Sequence, residues 1–440
     1  MTFDRRQLLL GSALTAAGLS LQGLRPAFAQ SPSEIGTFPA GVGEDSVFVG
    51  LTVPLTGVFS GDGNDLKLGY ELAISQINAG GELPAAWGLK GAGVLGKQIR
   101  YGVVDTEGKP NAAVQGMTQF IQNEKAMMVS GSVSSATAIA LEELASREHV
   151  LYMVGIAGSN DVTGKSCRRY GFRSQQNAYM AAKALAPVVA KALGKDVKAA
   201  FLVPDYTYGH TVYDSFAEFA KAEGWTEVDK QVVPLGTQDY SSALLNIANS
   251  GADVFVNIAF GGDAVASTKQ AQQFGILDSM KLVVPNLSGF QARELGADLM
   301  QGVYGSCDFW WRLEDRYPLA KTFVETFHAA NGYYPRWGAH IGYMQTHLWA
   351  LSVERAGSFN PVDVIKAMEA SKENPYTTTI GDVYFRAEDH QMVRPITILV
   401  GKSPDQMENE EDYYEVVDVV DGESVMNSPD HFGCELGPYI

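Results

Sequence analysis

Ala126-Met127-Met128-Val129, followed by Gly131-Ser132-Val133-Ser134-Ser135-Ala136-Thr137, decides the fold. The apolar run reads as a buried strand, and the segment from Ala136 to Glu148 reads as an amphipathic helix, with a tight hydroxyl-rich turn between them. Such a turn presents free N–H groups and the positive end of a helix dipole, which suits a carboxylate or another anion. Ser134 or Ser135 capping the helix is the other reading of the same residues. A second apolar run, Leu151 to Val154, leads into another polar turn, Ala157-Gly158-Ser159-Asn160. In an open α/β sheet the ends of consecutive strands share one edge, and ligands bind in the crevice outside those ends.

The pattern extends in both directions. Val47 to Val53 and Ile99 to Val104 are strands, and Leu66 to Ile77 and Ala112 to Asn123 are helices. The order strand, helix, strand, helix predicts a parallel sheet covered on both faces. The turn between residues 56 and 63 holds Gly57, Gly61 and Gly63, but not at the spacing of a dinucleotide fingerprint. A second set of the same order begins at Lys198. Its strands are Ala199 to Val203, Gln231 to Pro234, Val254 to Ala259 and Leu282 to Pro285, and its helices run to Ala222, from Tyr240 to Asn249 and from Asp263 to Phe274. Further helices fall at Leu319 to Asn331, at His340 to Ala356 and around Pro361 to Ser371. Val383 to Phe385 and Ile396 to Val400 read as strands. Two α/β units predict a bilobal protein with a cleft between the lobes, where small ligands commonly bind.

The N-terminus reads as an export signal over residues 1–29: Arg5-Arg6, an apolar run from Leu8 to Leu21, and Ala27-Phe28-Ala29 before Gln30. The paired arginines point to the twin-arginine route. Residues 30–45 read as a flexible leader. No later stretch is long and apolar enough to span a bilayer. A formal charge of −17 argues against nucleic acid and anionic membrane surfaces as partners. Three cysteines, Cys167, Cys307 and Cys434, allow at most one internal bridge, and their spacing does not match a zinc site. Neither a GxSxG elbow nor an HExxH motif occurs, the seven histidines are scattered, and no cofactor motif is complete, so an enzyme is not expected.

Several stretches resemble, in this order, the extracytoplasmic solute-binding proteins of ABC importers, specifically the branched-chain amino-acid-binding class. They are Leu51-Thr52-Val53-Pro54-Leu55-Thr56-Gly57, Ser134-Ser135-Ala136-Thr137, Thr163-Gly164-Lys165-Ser166-Cys167 with Phe172-Arg173, Pro204-Asp205-Tyr206-Thr207-Tyr208-Gly209 and Gln238-Asp239-Tyr240-Ser241. The resemblance implies a periplasmic protein of the type I periplasmic-binding fold: two Rossmann-like lobes joined by three crossovers, near Arg173, Gly305 and Pro395, that close on ligand by a hinge. The N-terminal lobe would hold residues 46–172 and 305–393, and the C-terminal lobe 173–304 and 394–440. The ligand's carboxylate would meet Ser134, Ser135, Thr137, Ala157, Gly158 and Ser159, and the other lobe would supply Tyr208, Phe260 and Asn286. Phe59 and Trp311 are further candidate contacts. Relatives that bind α-amino acids carry an acid where this chain has Asn286, so Asp62 or Asp263 would meet an ammonium, or the ligand would have none. The resemblance also pairs Cys167 with Cys434 and leaves Cys307 a buried thiol. It implies capture of an amino acid or other small carboxylate for an ABC permease. The alternatives are a sensor subunit that presents its ligand to a receptor, and a ligand that is an aromatic carboxylate, urea or a short amide.

Overall fold

The computed structural model describes residues 45–439; the export signal and nearly all of the leader lie outside them. The strands are β1 (Ser46–Val53), β2 (Gln98–Asp105), β3 (Met128–Gly131), β4 (Leu151–Val154), β5 (Gly171–Arg173), β6 (Lys198–Pro204), β7 (Thr226–Val233), β8 (Val254–Asn257), β9 (Lys281–Asn286), β10 (Tyr304–Cys307), β11 (Tyr376–Thr378), β12 (Gly381–Phe385), β13 (Met392–Val393), β14 (Ile396–Gly401) and β15 (Tyr414–Val420). The first sheet has the order β2-β1-β3-β4-β5 and is parallel throughout. β3 and β4 are buried at every residue, which explains the apolar runs Ala126 to Val129 and Leu151 to Val154.

The second sheet has the order β15-β14-β10-β9-β8-β6-β7. Its strands from β10 to β7 are parallel, while β14 and β15 add an antiparallel edge. β10 stays in this sheet through Cys307, two residues beyond Gly305, and the chain leaves the sheet there. The C-terminal tail, placed with the second lobe in the expected division, makes contacts with the first. Cys434 is bonded to Cys167, Arg169 donates to the carbonyl of Gly437 (2.7 Å), and Phe432 packs on Gly164. The tail therefore lies against the first lobe, with its His431 and Phe432 rings on Tyr179 at the start of the second.

Helices Ser60–Ala79 and Trp337–Ala356 pack together beside the first sheet. Their approach needs glycine: a Cβ at Gly69 would sit 1.9 Å from the Ala339 carbonyl oxygen. Beneath the sheet, Tyr70 donates to Gln345 (2.9 Å), which also accepts from Ser130 (2.9 Å) and donates to Ser174 (2.8 Å). The strand ends that bear the polar turns are thus tied through buried hydrogen bonds to the first crossover.

Candidate functional site: the closed interlobe cleft

The carboxyl ends of both sheets face one another across a closed cavity of about 10 Å³, room for about one water molecule. Val133, Ile156 and Gly158 line it from the first sheet, and Trp337 from the N-terminus of its helix. Tyr208, Phe260 and Asn286 line it from the second lobe, and Gln176 and Asp308 from the crossovers. Four expected residues, Gly158, Tyr208, Phe260 and Asn286, therefore come together. A Cβ on Gly158 would lie 3.4 Å from the Tyr208 ring, so this turn forms one wall of the cavity and the tyrosine the other.

The second-lobe wall is a chain of hydrogen bonds. Asn286 Nδ2 donates to the Tyr208 hydroxyl (3.0 Å), and Gln176 Nε2 donates to Asn286 Oδ1 (3.0 Å) and to Ser306 (2.8 Å). Burial pushes the Tyr208 hydroxyl far above its ordinary pKa, opposed by its bond from Asn286, so it stays neutral. The Gln176 backbone N–H donates to Asp308 (2.9 Å), whose carboxylate pairs with the buried Arg394 (2.7 Å). Burial raises the Asp308 pKa, while Arg394 and the Gln176 N–H act the other way. Asp308 reaches the cavity already neutralised.

The first-lobe hydroxyls are differently employed. Thr137 donates to the Gly108 carbonyl (3.1 Å), and Ser135 Oγ accepts the Ser159 N–H (3.2 Å). Ser159 Oγ lies 2.9 Å from Thr207 Oγ1, which donates to Asp161 (2.6 Å), and accepts from Thr211 (3.2 Å). The Ala157 carbonyl accepts from Gln175 Nε2 (2.8 Å). None of these residues lines the cavity, and neither does Ser134. Ser134 stands at the helix N-cap position but makes no side-chain capping bond, so the capping reading fails in its simplest form.

Phe59 is wedged between lobes: added Cβ atoms at Gly108 and Gly261 would meet its ring at 2.9 and 3.3 Å. Beside it the Gly262 N–H donates to the Val58 carbonyl (2.7 Å) across the cleft. Trp311 is remote. It stacks on Tyr334 at 4.0 Å, with its N–H towards the Glu411 carbonyl (3.4 Å), because the chain after β10 turns outward to cover the β14–β15 edge. Asp263 is committed to the Gly236 N–H (2.7 Å).

Asp62 is different. It is buried beside Trp337 and Ser288, yet its Oδ2 makes no hydrogen bond of normal geometry. Burial, with Asp65 adding to it, pushes its pKa up to about 7 against the pull of Arg336, Trp337 and Ser288. Arg336 itself is paired with Asp65 (3.0 Å). Trp337 Nε1, which faces Asp62, and Gln176 Oε1 are likewise buried and make no hydrogen bond of normal geometry.

Val133, Ile156, Gln176, Asp308 and Trp337 also line the cavity, and the family resemblance marks none of them as a contact. Asp308 and Gln176 each follow a strand end by one to three residues, the one signal that marks them. Trp337 has only a helix start.

Residues 46–405 match the family described as periplasmic binding protein. The chain is 28% identical over 334 residues to Leu/Ile/Val-binding protein homolog 8 of Brucella abortus, covering 73% of this chain and 79% of that one. Among solved structures, a periplasmic binding protein from Burkholderia mallei superposes with a TM-score of 0.80 at 24% identity, over 90% of this chain and 100% of that one. An amino acid ABC transporter substrate-binding protein from Pseudomonas fluorescens does so with a TM-score of 0.78 at 26% identity, with the same coverage. With the family match spanning the first sheet, the second sheet but for its β15 edge, and the closed cleft between them, the chain belongs to the periplasmic binding protein family.

Proposed function

We propose that this protein captures a small organic solute between its lobes and hands it to an ABC permease, without turning it over. The observation that carries this reading is the cavity itself. Residues from both sheets and from two crossovers meet there, and hydrogen bonds across the cleft (Gly262 to Val58, Ser159 with Thr207) hold the lobes together. A ligand stabilises that closed form only to the extent that it binds it better than the open one. The two lobe rims then present a joint surface to the permease. The small-ligand and permease roles are supported by the relatives, one a Leu/Ile/Val-binding protein homolog and one an amino acid ABC transporter substrate-binding protein. Delivery to the periplasm would use the paired arginines at Arg5-Arg6.

The test is a thermal-shift titration of the exported protein, stripped of any retained ligand by partial unfolding, against amino acids, amines, carboxylates and amides. A ligand at about a hundred times its Kd adds about 2.7 kcal/mol. Tyr208→Ala should abolish the shift. A shift that survives this substitution places binding outside the cleft.

A further inference from the structure

We propose that Asn160 is a positioning residue for lobe closure: it plugs the seam between two helices of the second lobe and so sets how much of the protein is closed. The proposal rests on the solute-capture reading and names a residue that tunes capture without touching the solute.

Asn160 closes the first lobe's second polar turn and is buried. Its side chain and its backbone N–H all reach into the other lobe. Oδ1 accepts the Tyr179 N–H (2.9 Å), Nδ2 donates to Ser215 Oγ (3.0 Å), and the Asn160 N–H donates to Thr211 Oγ1 (3.3 Å). Tyr179 lies in the first turn of the helix Ala178–Leu193. Thr211 and Ser215 stand one turn apart on one face of the helix Thr207–Ala222. These two helices pack against each other, so a single first-lobe residue is bonded to both sides of their seam.

The residue type suits the place. The first N–H groups of a helix find no partner within it. Here the Gly158 carbonyl takes that of Ala178 (2.9 Å), Asn160 takes that of Tyr179, and the Asn177 side chain takes that of Met180 (2.7 Å). Accepting from the helix while donating to a hydroxyl needs both halves of an amide; a carboxylate lacks the donor. Two of these three partners belong to the first lobe, so drawing the turn away from the helix strips both. The rest of the turn is held from behind. The Ala157 carbonyl accepts from Gln175 (2.8 Å) and the Ser159 carbonyl from Arg173, both at the first crossover. The crossover thus carries the turn, and Asn160 is the part that extends past it to the second helix.

Asn160 does not line the cavity. With Tyr179, Thr211 and Ser215 it lines a separate groove of about 530 Å³. A residue outside the cavity changes affinity through the closed population alone, and therefore by one factor for every ligand.

The experiment compares the exported wild-type protein with Asn160→Ala, Ser215→Ala and the double variant. Each is measured by small-angle scattering without ligand, by urea unfolding, and by calorimetric titration with L-leucine and with benzoate. Asn160→Ala also leaves the Tyr179 N–H unpaired. Ser215→Ala removes the seam bond and only a bond within its own helix, to the Thr211 carbonyl (2.8 Å), and it decides the matter should Asn160→Ala fail to fold. The expected result is a larger radius of gyration in both single variants, with Ser215→Ala unfolding at the wild-type urea midpoint. The double variant should be no more open than Asn160→Ala, because the bond is already gone. Affinity for each probe that binds should fall by one common factor, about two- to tenfold in Ser215→Ala. Unchanged radii overturn the proposal, as do additive effects or an opening that only accompanies a lowered midpoint. Loss of affinity for one probe with the other unaffected overturns it too, by placing Asn160 at the ligand. If neither probe binds, scattering still decides the role of Asn160, and capture is judged separately by the wider thermal-shift panel and Tyr208→Ala.

Discussion

Two sets of polar residues around the cleft, the hydroxyl turns and the side chains that flank them, are used in opposite ways. On the first lobe the hydroxyls of Ser135, Thr137 and Ser159 are all engaged, with each other, with a backbone carbonyl and, across the cleft, with Thr207. Elsewhere around the cleft, Gln176 at a crossover and Asp62 and Trp337 on the first lobe's paired helices each have one buried polar atom without a hydrogen bond of normal geometry. A residue type that can bind a ligand and a residue placed to bind one are different things. The hydroxyl turns are engaged with one another and, through Ser159, with Thr207 and Thr211 across the cleft, so the candidates for recognition are groups whose hydrogen-bonding capacity is left over. Buried polar atoms are normally satisfied, so those that are not mark where something else belongs.

The largest effect that bears on this contrast is expected at the crossovers. Arg394 and Asp308 form a fully buried pair, and Arg394 also donates to the Ser174 and Asp308 carbonyls. Arg394→Ala leaves a carboxylate uncompensated beside the cavity and should cost about 3–5 kcal/mol of stability, read by urea unfolding. A loss under about 1 kcal/mol would mean that the crossovers do not anchor the second wall. Next in size is the bond between Cys167 and Cys434, which pins the tail on the first lobe. Replacing both cysteines with serine should cost about 2–5 kcal/mol and leave affinity for ligand nearly unchanged, because neither cysteine lines the cleft. A large change in affinity would extend the latch to the tail.

How legible this was in the sequence differs along the same line. Strands β3, β4 and β8 are buried on both faces, and the apolar runs Ala126 to Val129, Leu151 to Val154 and Val254 to Val256 make them readable. The helix Ala178–Leu193 was not read: it is alanine-rich with Pro187 in its interior, so it offers neither a clear polar face nor an uninterrupted pattern. Edge strand β15, Tyr414–Val420, carries four valines and a tyrosine, a strand composition, but it is half exposed and follows directly on the acidic run Glu408 to Asp412, which masked it. In the site, Tyr208 and Asn286 were legible because they sit at strand or turn positions that the family resemblance marks. Gln176 and Asp308 lie in crossovers, whose role exists only once two sheets face each other. Trp311 misled for the complementary reason. A tryptophan pair after a strand looks like a ligand wall, but the direction the chain takes after Cys307 decides which surface it covers.

Two tryptophans, Trp337 in the cavity wall and Trp311 outside it, provide the next test. Trp337→Phe keeps an aromatic ring against Phe260 but removes the unpartnered indole N–H, and should weaken ligand by about 1–3 kcal/mol if that donor meets it. Trp311→Phe should leave the dissociation constant unchanged, since the ring stacks on Tyr334 outside the cavity. Equal effects of the two substitutions would dissolve the distinction between wall and periphery.

The smallest expected effect cuts most finely between latch and ligand site. Ser159→Ala removes the hydroxyl that links Thr207 and Thr211 of the second lobe to the first. It should cost the closed form about 0.5–1.5 kcal/mol, which lowers apparent affinity by roughly two- to tenfold through a smaller closed population. Ser135→Ala breaks a contact within the first lobe alone and should do less. If the turn instead held a ligand carboxylate, both serines would donate to a charged group and each loss would reach about 1.5–3 kcal/mol. Calorimetric dissociation constants for the two single variants and the double variant distinguish these cases, with small-angle scattering of the ligand-free proteins as the check on closure. A Ser159 variant that opens the free protein and weakens every ligand by the same factor identifies a latch. A loss confined to carboxylate-bearing ligands returns the hydroxyl turn to the site, and with it the anionic reading of the cleft.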